Sequence, residues 1–399
     1  MSEHKITLDH GDGTQLWCAP SPAVQASGFI PVTEMRVITQ CTDGAGRDWQ
    51  SQNGYLVSAL TNFATDKTAA VGDDYYGIAP EGPIYSLRCL AGVGHEFVLP
   101  EDGCLEFQFK LFDGDKEIWS ESAQRVTTAP EPPMSGATVV FFHNDTQGAK
   151  PGSELLKSLG HKVLSFHVQA ENPDMTALLE ELKTTLSAED SVHIVASGRA
   201  SEPALELAQV LENLKSVSIF SGSGLRFSPW KIGEKQCAHV ACDHSAIQPR
   251  GQTTISTRKI YAEAVADRKN RDLGRIEVEN INCPLYLFSG SDDQIWPSAA
   301  FSELAAQRRK AHGREKDTIH RTFPNVGYDL GPELGLPCLP TTERTIGHPP
   351  TGFRLALGGK MGRQARARRE CWEALHQILG GCSTEALRVF LSNTTPTNP

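Results

Sequence analysis

The amino-acid sequence predicts two domains of different class, an antiparallel β-sandwich followed by a doubly wound, mostly parallel α/β sheet. Three observations carry this. Residues 6–126 hold short alternating or apolar runs separated by turn residues. A proline-rich stretch, 127–136, interrupts that pattern. Beyond it, continuous apolar strands alternate with helical segments.

In the first region, Met35-Arg36-Val37-Ile38-Thr39, Pro83-Ile84-Tyr85-Ser86-Leu87 and Leu105-Glu106-Phe107-Gln108-Phe109 read as strands. Turn clusters such as Thr42-Asp43-Gly44-Ala45-Gly46 and Asp113-Gly114-Asp115 separate them. Period-two alternation presents one face to a core and the other to water, as in a sandwich of about 120 residues. The expected layout is a sandwich over 1–126, a linker over 127–136, an α/β domain over 137–382 and a tail over 383–399.

In the second region, strands are expected at 138–142, 163–166, 192–195, 217–220 and 284–288. Helices are expected at 154–158, 175–186, 203–214 and 363–379, with a long irregular stretch near 228–280. Buried strands alternating with helices imply a parallel sheet covered on both faces. In the last helix, Trp372, Leu375, Ile378 and Leu379 keep helical spacing, while the run of arginines over 363–369 reads as a solvated face.

Composition narrows the function classes. The chain has 399 residues, 39% hydrophobic and 22% charged, with a net charge of −10. That balance argues against a nucleic-acid partner, which needs clustered basic surface. No stretch reaches the roughly 20 apolar residues of a membrane span, and the N-terminus lacks the apolar core of a signal peptide. Ten cysteines without a secretion signal are expected as free thiols in the cytoplasm. No cofactor and no metal are expected, and a homo-oligomer is left open.

Further pieces carry a resemblance. They are Gly28-Phe29-Ile30-Pro31, Gly72-Asp73-Asp74-Tyr75-Tyr76-Gly77-Ile78-Ala79-Pro80, Gly290-Ser291-Asp292-Asp293-Gln294-Ile295-Trp296-Pro297-Ser298 and Phe323-Pro324-Asn325-Val326-Gly327-Tyr328. Pro337-Cys338, Gly358-Gly359 and Trp372 follow. In order and spacing the chain resembles the acyl-CoA thioesterase and bile acid-CoA:amino acid N-acyltransferase family. The resemblance implies an α/β-hydrolase-type sheet behind an Ig-like sandwich. It also implies a triad of Ser or Cys nucleophile, Asp and His.

The nucleophile of such a fold sits on a sharp strand-to-helix turn flanked by small residues. Here 191–195 leads into Ala196-Ser197-Gly198-Arg199-Ala200, which places Gly198 at the nucleophile position. Glycine has no group to attack a thioester. Ser197 and Ser201 flank it and are the candidates for a shifted nucleophile. Asp293 matches the family's acid, with hydrogen bonding inside its own loop as the alternative. Tyr328 stands where the histidine is expected, and a phenol of pKa about 10 cannot relay protons at neutral pH as an imidazole near 6.5 does. His348, in Gly347-His348-Pro349-Pro350, looks like a displaced copy, but the downstream match at Pro337-Cys338 and Gly358-Gly359 keeps Tyr328 in register and leaves His348 as a loop residue. Of the family's glycine-rich oxyanion run, only Gly148 has a counterpart, and one or two opening strands of the sheet are missing.

His143, Arg199, Asp293 and Tyr328 are the acid–base candidates, because each is expected in a loop at the carboxyl end of a strand. The alternative is a satisfied polar network. Gly198, Ser197 and Trp296 are the expected substrate-binding residues. Cys237, His239, Cys242 and His244 have ligand chemistry without a known zinc spacing. Ser221-Gly222-Ser223-Gly224 reads as a tight strand-end loop, with Arg226 a weak candidate for a CoA phosphate. Three functions remain open. One is non-hydrolytic binding of an acyl or polyketide-like molecule, with acid–base cyclisation, isomerisation or elimination in secondary metabolism. The second is a thioesterase or acyltransferase with a rebuilt site. The third is a pseudoenzyme that binds a partner.

Overall fold

The computed structural model describes residues 4–11, 15–16, 19–92, 95, 97–126, 136–143, 149–168, 174–186, 191–232, 234–246, 254–331, 342–346 and 353–393. Contacts divide the chain into two compact units near residue 130. Most of the 127–136 linker lies outside the described residues, as do 144–148, Pro337-Cys338 and His348.

The N-terminal unit is built from two sheets, one of three strands and one of eight, with antiparallel pairing throughout except for a short parallel pair at Gln15–Leu16. Strands Glu34–Thr42 and Cys104–Asp113 alternate buried residues with exposed or half-exposed ones along their length. Phe107, Phe109 and Leu111 are wholly buried, and each such side chain stabilises the fold by roughly 1.5–3 kcal/mol. One expected strand is absent. Gly82–Tyr85 forms a single helical turn instead. Pro83 at its start pre-sets helical φ where no N–H partner is needed.

In the C-terminal unit the strands of the main sheet are β1 (Thr138–His143), β2 (Lys162–His167), β3 (Val192–Ser197), β4 (Leu214–Phe220), β5 (Leu285–Gly290) and β6 (Thr318–Phe323). The helices are α1 (Ala149–Ser158), α2 (Met175–Thr185), α3 (Ser201–Ala208), α4 (Arg258–Ala266), α5 (Arg268–Leu273), α6 (Ser298–Ala311), α7 (Met361–Leu379) and α8 (Thr384–Asn393). The sheet order is β2-β1-β3-β4-β5-β6, and every pair is parallel. Every residue of β1, β3 and β5 is buried, as expected of parallel strands covered on both faces. No helix among the described residues is long and apolar enough to cross a membrane.

Two local expectations are corrected. The helix expected to reach residue 214 stops at Ala208, and Leu214 already opens β4. The arginine run is not uniformly solvated. Arg368 is 1% exposed and its guanidinium lies 3.6 Å from the Asp329 carboxylate, while Arg366 on the same helix is exposed. Helical periodicity turns Arg368 to the side that carries Leu375 and Trp372, so a carboxylate must meet it there.

Candidate functional site

The site forms where β3 turns into α3. Ser197 is extended (φ −129°), Gly198 is left-handed (φ +52°), and a short 3-10 turn over Gly198–Ala200 leads into α3. Only glycine adopts that φ without cost. A Cβ built on Gly198 would overlap the Tyr328 hydroxyl oxygen outright and lie 2.8 Å from Tyr328 Cζ. The tyrosine thus occupies the space where a side chain at position 198 would stand.

Tyr328 is held there by its loop. Its amide donates to the Leu357 carbonyl at 2.8 Å, and the Gly327 amide donates to Gln364 Oε1 at 2.7 Å. The ring packs on a cluster of Leu225, Phe227, Val240, Tyr261, Trp296 and Phe301. Trp296 is fully buried in that cluster and donates from Nε1 to the Ser221 carbonyl at 2.8 Å. It therefore supports the site from behind.

Arg199 belongs to a built polar network. Its Nε lies 3.5 Å from Glu202 Oε1, its Nη1 donates to the Tyr261 hydroxyl at 3.5 Å, and its Nη2 donates to Ser228 Oγ. Burial is the largest influence and works against the Arg199 charge, but Glu202, Tyr261 and Cys242 together outweigh it and hold the pKa above the ordinary value. Glu202 is wholly buried, so desolvation pushes its pKa up. Its Oε2 accepts from the Phe227 amide at 3.0 Å and Trp230 Nε1 at 2.8 Å.

Asp293 follows β5 and is fully buried. Its Oδ1 accepts from the Ile295 amide at 2.9 Å and the Trp296 amide at 3.2 Å, so the loop bonding foreseen as an alternative is present. Oδ2 has no hydrogen-bond partner among the described residues. Burial pushes the Asp293 pKa up from 3.8 to about 7, with the nearby Ser298 hydroxyl, the loop amides and the Arg258 charge pulling the other way.

The two serines beside Gly198 differ. Ser201 donates to the Gly198 carbonyl at 2.6 Å and accepts from the Ser223 amide at 3.0 Å, so its hydroxyl pins the turn to the loop after β4. The buried Ser197 hydroxyl has no partner among the described residues. His143 is buried at the end of β1, its ring 5.5 Å from that of its cross-strand partner His167 on β2, and the β1–β3 register puts it beside Ser197.

The structure therefore brings Gly198, Tyr328, Arg199 and Trp296 together, with Asp293 bonded to the Trp296 amide and His143 at the end of the neighbouring strand β1. Of these, only Tyr328 and Arg199 are half-exposed. Arg226 is not available to a phosphate, because it is buried and ion-paired with Glu206. Among the described residues, no three His, Cys, Asp or Glu side chains gather as a metal site. Sequence reasoning missed Glu202, Ser228, Tyr261 and Arg258. An acid in the first turn of a helix reads as a dipole partner, and the others lie in a stretch without periodicity.

The family model described as BAAT / Acyl-CoA thioester hydrolase C terminal matches residues 182–380. Human acyl-coenzyme A thioesterase 6 is 26% identical over 110 residues, covering 27% of this chain and 25% of that protein. The mouse peroxisomal succinyl-coenzyme A thioesterase is 22% identical over 184 residues, covering 44% and 40%. These two matches thus span less than half the length of either relative. Human bile acid-CoA:amino acid N-acyltransferase is 20% identical over 404 residues, covering 89% and 93%. Among solved structures, Zea mays acyl-protein thioesterase 2 is 15% identical with a TM-score of 0.30, covering 51% of this chain and 92% of that one. A Mycobacterium tuberculosis puromycin-hydrolyzing peptidase is 13% identical with a TM-score of 0.34, covering 90% and 57%. The chain belongs to the family of acyl-CoA thioesterases and bile acid-CoA:amino acid N-acyltransferases.

Proposed function

We propose that this chain is a non-hydrolytic member of its family, which binds an acyl or polyketide-like small molecule. It would assist acid–base cyclisation, isomerisation or elimination without a covalent intermediate. One observation carries the reading: at the turn where an attacking group is expected, Gly198 offers none and the Tyr328 phenol fills its space. The relatives' names supply the ligand class, a molecule carried as an acyl thioester.

The two half-exposed groups define the chemistry. An un-ionised phenol donates a hydrogen bond to an oxygen gaining negative charge, and a guanidinium beside it stabilises that charge. Tyr328 is the acid in this reading and Arg199 the fixed cation. Asp293, wholly buried, acts through the loop that supports Trp296. A cyclase of secondary metabolism, working in the cytoplasm, fits this chemistry. A binding role without catalysis is the second reading, favoured by the ion pair and hydrogen bonds that already hold Arg199.

The test uses β-ketoacyl thioesters of N-acetylcysteamine. The expected products keep the substrate mass or lose one water, with no free thiol, and Tyr328→Phe lowers their rate about 100-fold, within the range of general-acid contributions. Thiol release as the main outcome would overturn the proposal. Saturable binding with no product would select the second reading.

A further inference from the structure

Arg258 opens α4 three residues before Tyr261, so the two side chains share a helix face. Its Nη1 donates to the Asp293 carbonyl oxygen at 2.5 Å. Among the described residues, Nε and Nη2 have no hydrogen-bond partner and no carboxylate forms an ion pair with this guanidinium. The side chain is half-buried. Arg199 reaches the Tyr261 phenol at 3.5 Å. Arg258 thus sits one helical turn from a tyrosine of the site and bonds the loop that carries Asp293.

The local charge does not balance. Glu202 neutralises Arg199. The other acidic groups near Arg258 are engaged. Asp292 accepts from Gln294 Nε2 and the Gly359 amide, and Glu263 pairs with Lys259 at 3.6 Å. Asp293 turns its carbonyl, not its carboxyl, to Arg258, and burial favours the neutral form of that carboxyl. Among the described residues no carboxylate pairs with the Arg258 charge, on a chain whose net charge is −10. A half-desolvated guanidinium with free donors in a planar fork matches a carboxylate or phosphate oxyanion.

We infer that Arg258 is the specificity residue of this site and binds an anionic group of the ligand, a carboxylate on the acyl chain or a phosphate of its carrier. The inference rests on the reading of the Gly198–Tyr328 mouth as a ligand site.

Isothermal titration of the full chain with octanol, octanoate and coenzyme A separates the terms. Octanol tests the apolar site, octanoate adds a carboxylate, and coenzyme A adds phosphates without an acyl chain. At least one anion is expected to bind about 10-fold tighter than octanol, and which one does so identifies the source. Arg258→Gln is expected to cancel that gain and Arg258→Lys to keep most of it, with unfolding midpoints checked for both. The wild-type gain is also expected to shrink with added salt. Octanol binding with no anionic gain overturns the inference and leaves the site reading intact, as does a gain that survives Arg258→Gln in a folded variant. No binding of any probe removes both.

Discussion

Gly198 and Tyr328 constrain each other at the level of single atoms. Gly198→Ala must adopt a left-handed φ, at a cost of about 1 kcal/mol, and must push back a packed ring, which costs roughly 1–3 kcal/mol more. In a Tyr328→Ala background only the backbone part remains. Urea unfolding of the two single variants and the double is therefore expected to show a coupling of about 1–3 kcal/mol. Additive losses would mean that the phenol does not fill the place of a side chain at 198. Both residues were legible from sequence as positions, because small-residue spacing and the Gly-Tyr pair fix the register. Their mutual contact was not, since nothing in either segment encodes where the other's side chain points.

At the scale of elements, the turn between β3 and α3 depends on Ser201. Its hydroxyl bonds the Gly198 carbonyl and receives the Ser223 amide. Ser201→Ala leaves both groups buried without that partner, which costs roughly 1–3 kcal/mol. Thermal unfolding is expected to report this loss, and an unchanged midpoint would contradict the pinning role. The parallel strands were readable because burial on both faces writes itself as continuous apolar runs. The helical turn at Gly82–Tyr85 was not, because Ile84, Tyr85 and Leu87 after a proline fit a strand as well as a turn. The network around Arg199 was hidden for another reason: Tyr261 and Ser228 come from the aperiodic stretch between β4 and β5, where no pattern announces a shared destination.

For the whole molecule, two buried groups set opposing responses to pH. Burial, helped by the His161 and Lys215 charges, lowers the His193 pKa from 6.5 to about 4. The unfolded chain takes up that proton first, so the His193 contribution is complete above pH 6.5 and is lost towards pH 4, a change of about 3 kcal/mol. Asp293 has the reverse sign. Its folded pKa is raised to about 7, so its contribution is complete below about pH 4 and is lost as pH rises through 7, a change of about 4 kcal/mol. Asp293→Asn is expected to make the protein more acid-sensitive than wild type, and His193→Asn less so, in unfolding midpoints taken between about pH 4.5 and 7.5. Parallel profiles for all three proteins would contradict this balance.

The central claim, that no covalent acyl-enzyme forms at the β3–α3 turn, is tested most directly by intact-protein mass spectrometry after mixing with octanoyl-CoA. The expected spectrum shows the unmodified protein at every time point, with no octanoyl adduct. An adduct that maps to the peptide containing Ser197 and Ser201 would contradict the claim.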